Sequence, residues 1–308
     1  MTLTRRQTLT AAAALPAAAA LPRAAAAQSG GAPARGELYR VLKLGDTEVI
    51  TLLDGTVPSS TFGDEGPQSI FGLDVDAETF AEVSRQNFIS PDASTFFFTP
   101  VVVRKGGNVI LFDTGLGQGG LPAALESAGI APAEITHVVV THMHPDHVGG
   151  LMADGAPAFE GAEHVTGEVE MGFWAENPND AVSANVLPMR DRFTLVGDGA
   201  EIAPGVTGMA AFGHTPGHMV YRIDDGDQSM LIFADTANHY VWSLAHPDWE
   251  VRFDMDKEAA AATRRRVLGM LAAERMPMTG YHMPFPAAGF VEEREDGFRW
   301  VPTSYQFL

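Results

Sequence analysis

Residues 141–150 read THMHPDHVGG and follow directly on residues 135–141, an apolar run whose valines predict a buried strand. In extended backbone alternate residues point to the same side, so His142 and His144 face one way together. Asp146 and His147 lie beyond Pro145, where the chain turns, and face a second point close by. Imidazole and carboxylate suit Zn2+, and also Mn, Fe or Co. The segment therefore asks for a fold that delivers a strand end to a place where further donors converge.

Three later segments offer such donors in order. GHTPGH at 213–218 has glycines that permit a tight turn and project His218 back toward the site, with His214 expected to be structural or to support a ligand. FADT at 233–236 ends an apolar strand with Asp235, whose two oxygens suit a bridge between two cations. GYHMPF at 280–285 places His282 between glycine and proline. Asp113, in LFDTG at the end of another apolar strand, reads either as a partner that orients a ligand histidine or as a turn acid bonded to backbone. The chain contains no cysteine, which excludes a disulfide frame, a thiolate zinc site and a thiol nucleophile. Its formal net charge of −19 opposes a nucleic-acid partner.

The ordered set of H-x-H-x-D-H, P-G-H, an Asp after an apolar strand and a late His resembles the metallo-β-lactamase superfamily of dinuclear metallohydrolases. It is most similar to the methyl parathion hydrolase-like group, on THMHPDHVGGLM, Phe173–Trp174, GHTPGH, GYH at 280–282 and GFRWVP at 297–302. The resemblance implies an α/β fold, a four-layer αβ/βα sandwich with two metals at the sheet edge. It implies His142, His144 and His218 on one Zn2+, Asp146, His147 and His282 on the other, and Asp235 between them. The implied activity is hydrolysis of a lactone, ester or phosphotriester by a hydroxide between the metals, with Asp146 also moving a proton. The alternatives are a β-lactamase-type amide hydrolase and an iron-dependent sulfur dioxygenase or oxidoreductase on the same fold. Phe173 and Trp174 read either as an aromatic wall at the substrate, which the resemblance supports for Trp174, or as core packing. Lactonases of the superfamily commonly carry a tyrosine three residues after the bridging Asp; Asn238 stands here, and Tyr240 is the nearby substitute as a substrate contact.

Residues 1–27 carry Arg5 and Arg6 before an Ala/Leu-rich stretch and an A-x-A site, the layout of a twin-arginine-type signal peptide. Periplasmic or secreted localisation is expected, with a loose linker at 28–36 and one hydrolase domain over 37–308. The expected partner is a small-molecule substrate, with no nucleic acid, no membrane after signal removal and a homodimer left open. A helix is expected over 76–86 with Asp76 as its cap, a strand over 96–103, and a helix over 257–273 capped by Asp254 or Asp256. Arg264–Arg266 on that last helix read as solvated surface or local ion pairing.

Overall fold

The computed structural model describes residues 38–63 and 66–304. The signal peptide and linker expected over residues 1–36 lie outside the described residues. None of the helices described is long and apolar enough to cross a membrane.

The first half of the chain supplies β1 (Tyr39–Leu44), β2 (Thr47–Leu52), β3 (Gly55–Pro58), α1 (Ala77–Gln86), β4 (Thr95–Phe98), β5 (Val101–Lys105), β6 (Asn108–Phe112), α2 (Gly120–Ser127), β7 (His137–Val140) and α3 (Pro145–Val148). After the short hairpin β8 (Met152–Ala153) and β9 (Ala156–Pro157) come β10 (Glu163–Gly167), α4 (Glu168–Glu176), α5 (Asp180–Asn185) and β11 (Phe193–Val196). The rest is β12 (Glu201–Ala203), β13 (Val206–Ala210), β14 (Met219–Asp225), β15 (Gln228–Ala234), α6 (Lys257–Glu274), β16 (Met278–Gly280), β17 (Ala288–Arg294) and β18 (Gly297–Pro302). One seven-stranded sheet runs β1-β2-β5-β6-β7-β10-β11 and the other β12 to β18 in sequence order.

Period-two alternation explains the layering. Val101, Val103, Ile110, Phe112 and Val139 pack between the sheets against Tyr221, Ile223, Met230 and Ile232. Their neighbours Val102, Leu111, Val138 and Val140 point outward, onto Leu121, Leu125, Met171 and Val182 of the helices. On the far side Val220, Leu231 and Phe233 pack under Val267, Leu268 and Leu271 of α6. The result is the expected αβ/βα sandwich.

Asp76 caps α1 by accepting from the Thr79 N–H, and Asp256 caps α6 by accepting from Ala259. The strand expected over 96–103 is two. Thr99–Pro100 breaks it, because proline has no N–H for the ladder. β4 then leaves the main sheet and pairs with β3 instead.

Two parallel pairs set the site. β6 runs parallel to β7 in one sheet, and β15 runs parallel to β16 in the other. All four C-terminal ends therefore discharge at one rim. Across that rim the Met219 N–H donates to the Thr141 carbonyl at 3.0 Å, joining the two sheets.

Candidate metal centre

The rim collects its donors from strand ends. β7 leads into His142 and His144, β15 into Asp235, β16 into His282, and β6 into Asp113. Asp113 and Ala234 have φ of 62° and 48°, a left-handed backbone that non-glycine residues adopt at a cost. Both sit where a strand must turn abruptly at the site.

Asp235 is the centre of the cluster. Its Oδ1 lies 3.3 Å from His147 Nε2, and its Oδ2 lies 3.0 Å from His282 Nε2, 3.3 Å from His214 Nε2 and 3.9 Å from His142 Nε2. Asp146 Oδ2 lies 3.3 Å from His147 Nε2 and 3.4 Å from His282 Nε2. Within 4.8 Å of one another lie ligand atoms of His142, His144 and His214, of His142, His147 and Asp235, and of Asp146, His147 and His282.

The ring hydrogens are accounted for on the outer side. His147 Nδ1 bonds to Asp113 Oδ2 at 2.9 Å, His214 Nδ1 to Asp254 Oδ1 at 2.9 Å, and His282 Nδ1 to the Phe97 carbonyl at 2.8 Å. The Thr141 hydroxyl donates to Asp113, which leaves its oxygen to accept from His142 Nδ1 at 3.2 Å. Each of these four imidazoles thus presents Nε2 inward. Nε2 of His142, His147 and His214 and Oδ1 of Asp235 are buried without a hydrogen-bond partner. Buried polar atoms left unbonded are costly, and four converging ones need a cation. Donor separations of 3.0–3.9 Å are what two ions held at about 2.0–2.2 Å from each ligand require. The residues fit the expected pair of ions.

Protonation follows the same logic. Burial, with His147 beside it, pushes His142 well down, and burial with His214 nearby takes His144 down to about 3. Burial also opposes the charged forms of His214 and His147. Bonds to Asp235 and Asp254 nevertheless raise His214 to about 9, and Asp235, Asp146 and Asp113 hold His147 well above its usual value. Burial works against an ionised Asp235, yet His282 and His147 keep it well below the usual carboxylate range. Protons stand here where cations would.

The geometry corrects one predicted ligand. His214, rather than His218, turns Nε2 into the cluster. Both nitrogens of His218 are engaged: Nδ1 with the Ala211 carbonyl at 3.0 Å, and Nε2 with the Asp235 N–H at 3.2 Å. His218 orients the Asp235 backbone. Gly213 makes the turn, with φ of 126°, and a Cβ there would sit 2.2 Å from the Ala260 nitrogen of α6.

Of the two readings of Trp174, core packing fits the structure and the substrate wall does not. Trp174 is only 7% exposed, belongs to the core under the first sheet, and donates its Nε1–H to Glu170 Oε1 at 2.7 Å. Glu170 is a buried clamp that sequence reasoning missed. Its Oε1 also takes the Met143 N–H at 2.8 Å, and its Oε2 takes the Thr215 hydroxyl at 2.7 Å and the Gly217 N–H at 2.9 Å. Two ligand loops are thereby tied to one carboxylate. Tyr240 faces a separate pocket of about 330 Å3 on the far side of β4, behind His282. Asn238 instead reaches the centre, donating Nδ2–H to Asp235 Oδ2 at 2.9 Å. In the basic run Arg264 and Arg265 are ion-paired, with Asp254 and Asp248, but Arg264 is fully buried rather than solvated and is held also by the Pro247 and Trp249 carbonyls.

A chamber of about 430 Å3 opens on the cluster. Phe62, Phe96, Phe98, Leu116 and Phe253 make its apolar wall, and His144, Asp146, Asp235 and His282 its polar floor. Among the described residues, no lysine or arginine lines it. These wall residues come from well-separated segments. Only the alternate phenylalanines of TFFF at 95–98 gave a local signal.

The chain matches the model of the metallo-beta-lactamase superfamily over residues 99–278 and belongs to that family. Among solved structures it is similar to AidC, a dizinc quorum-quenching lactonase in complex with a product, N-hexanoyl-L-homoserine. The identity is 26% and the TM-score 0.77, covering 87% of this chain and 99% of that one. The hydrolase AbOPH of the beta lactamase superfamily shares the fold at TM-score 0.79 and 22% identity, covering 87% and 98%. A probable metal-dependent hydrolase from Staphylococcus aureus does so at TM-score 0.69 and 20% identity, covering 85% and 99%. A curated relative, metallo-beta-lactamase domain-containing protein 1 of Xenopus laevis, is 42% identical over 53 residues, 17% of this chain; the match spans 23% of that relative.

Proposed function

We propose that the protein is a two-zinc lactonase acting on neutral lactones that carry an apolar chain. The observation that carries this reading is the phenylalanine-walled chamber opening on the His/Asp cluster, with no lysine or arginine in its lining among the described residues. A β-lactam or a phosphodiester brings a negative charge that such a lining does not meet, whereas a lactone or a phosphotriester brings none. The likeness to a lactonase with an acyl-homoserine product favours the lactone of the two.

Bound cations would supply an activated water and polarise the carbonyl under attack. The chain's own residues do the rest. His142, His144 and His214, with Asp146, His147 and His282, would hold the ions, with Asp235 between the two groups. Asp146 reaches both the cluster and the chamber, and the charges of His147 and His282 beside it keep it an acceptor despite burial. It takes a proton from the attacking water and returns it to the alkoxide released when the ring C–O bond breaks. The phenylalanine wall holds the chain of the substrate and excludes bulk water. The product hydroxy acid is anionic, and a protein of net charge −19 favours its departure.

The same reading includes membership of the methyl parathion hydrolase-like group and export by the twin-arginine signal at 1–27. The test is a substrate panel on metal-analysed protein: N-hexanoyl-homoserine lactone, p-nitrophenyl butyrate, paraoxon and nitrocefin. Fastest turnover of the lactone is expected. Preference for nitrocefin, or one iron per chain with no hydrolysis, overturns the reading. Fractionation of cells expressing the full chain and an Arg5→Lys/Arg6→Lys variant tests export.

A further inference from the structure

We propose that Arg264 of α6, acting through Asp254, sets how tightly the His142–His144–His214 group holds its cation, independently of the other group. This rests on the two-cation reading above.

Arg264 is a positioning residue two steps from the centre. Its Nη1 donates to Asp254 Oδ2 at 2.6 Å, its Nε to the Pro247 carbonyl at 2.7 Å and its Nη2 to the Trp249 carbonyl at 3.2 Å. Asp254 Oδ1 bonds to His214 Nδ1 at 2.9 Å, and His214 Nε2 faces Asp235. The Asp254 carboxylate is thus pinned at both oxygens and cannot rotate. The imidazole it holds cannot swing away from His142 and His144. The backbone is fastened at the same point, because Met255 N–H donates to the His214 carbonyl at 3.0 Å and Asp256 N–H to that of Gly213 at 2.9 Å.

A buried ion pair is seldom a better stabiliser than apolar packing of the same volume. Position 264 lies on the buried stripe of α6 with Ala260, Val267, Leu268 and Leu271, where an apolar side chain would serve for packing. What the guanidinium adds is a fixed acceptor for His214. The second group has its own support. Asp113 holds His147 and takes the N–H and hydroxyl of Thr141, with no cationic side chain among these partners. Asp113 also reaches His142 of the first group through the Thr141 hydroxyl, but the Arg264–Asp254 pair bonds to neither His147 nor His282, so its loss bears on the first affinity alone.

The experiment is zinc content per full-length chain across a dipicolinate titration, with melting of each metal-free protein by circular dichroism. Arg264→Met and Asp254→Asn are each expected to release one zinc at a chelator concentration at least about tenfold lower than wild type, and the other at the wild-type concentration. The double variant should release no earlier than the single ones. Asp113→Asn combined with Arg264→Met should release both ions early. Asp256→Ala, which removes only the α6 cap, should lower the melting temperature and keep the wild-type zinc profile. Arg264→Lys keeps the cation but cannot reach all three acceptors. It should shift release in the same direction, and it serves if Arg264→Met does not fold. An unchanged profile in Arg264→Lys or Arg264→Met, or simultaneous early loss of both ions, overturns the proposal. Wild-type protein holding fewer than two ions overturns the two-cation reading itself.

Discussion

The indole N–H of Trp174 donates to Oε1 of Glu170 at 2.7 Å, so an aromatic residue of the core is bolted to the carboxylate that ties two ligand loops together. Glu170 serves four donors with two oxygens. Glutamine cannot do so, because its NH2 would face either Gly217 N–H or Met143 N–H. Glu170→Gln is expected to lower unfolding free energy by about 1–3 kcal/mol for each group left unbonded. It should also reduce zinc content, since Met143 lies between two ligand histidines. Urea unfolding and metal analysis check both; wild-type values in both would refute the clamp.

The chamber makes a prediction about chain length. Each methylene buried against the phenylalanines is worth about 0.8 kcal/mol, roughly fourfold in kcat/KM, until the space is filled. Acyl-homoserine lactones of rising length should show that slope. Phe96→Ala should flatten it, mainly through KM. Equal efficiency for short and long chains would remove the wall from recognition.

Cation removal should cost stability as well as turnover. The orphaned Nε2 atoms and Asp235 Oδ1 gain ligands only when ions are present. At free zinc a thousandfold above Kd, each ion adds about 4 kcal/mol. Calorimetry before and after chelation should show a clear drop in melting temperature, and readdition of zinc should reverse it. Coincident melts would contradict the fit argued here.

Asp225 gives a pH prediction away from the centre. It takes the N–H groups of Asp46 and Thr47 at 2.7 and 2.9 Å and pairs with Lys105 Nζ at 3.2 Å, clasping the first sheet to the second. The Lys105 bond, aided by those from Thr47 and Asp46, holds its pKa below 3.8. A lowered carboxylate pKa contributes stability above the unfolded value, which is lost as pH falls through the folded one. Asp225→Asn should therefore melt lower than wild type at neutral pH. The gap should close below about pH 4, as Asp225 itself becomes protonated. A gap that widens on acidification would reverse the sign and discard the clasp.

Much of the centre was legible because strand alternation and a proline fix which way His142, His144, Asp146 and His147 point. The choice between His214 and His218 was not. Both sit in one six-residue turn, and the turn's direction depends on how closely Gly213 approaches α6. The burial of Arg264 was missed although a signal existed. The spacing 260, 264, 267, 268 and 271 runs one helical stripe through it, but an arginine among three arginines reads as surface. Wall and core could not be told apart for Trp174, because burial of its partner Glu170 has no local signature. The chamber was invisible because its wall is gathered from separated segments.

β4 carries two jobs on alternate sides. Its Phe96 and Phe98 side chains form the wall, while the Phe97 carbonyl holds His282 in place. Slipping this strand by one residue would exchange the two roles at once. Exchanging the side chains at 96 and 98 would reshape the wall and leave the Phe97 carbonyl on His282, whereas an insertion or deletion in β4 would disturb both at once.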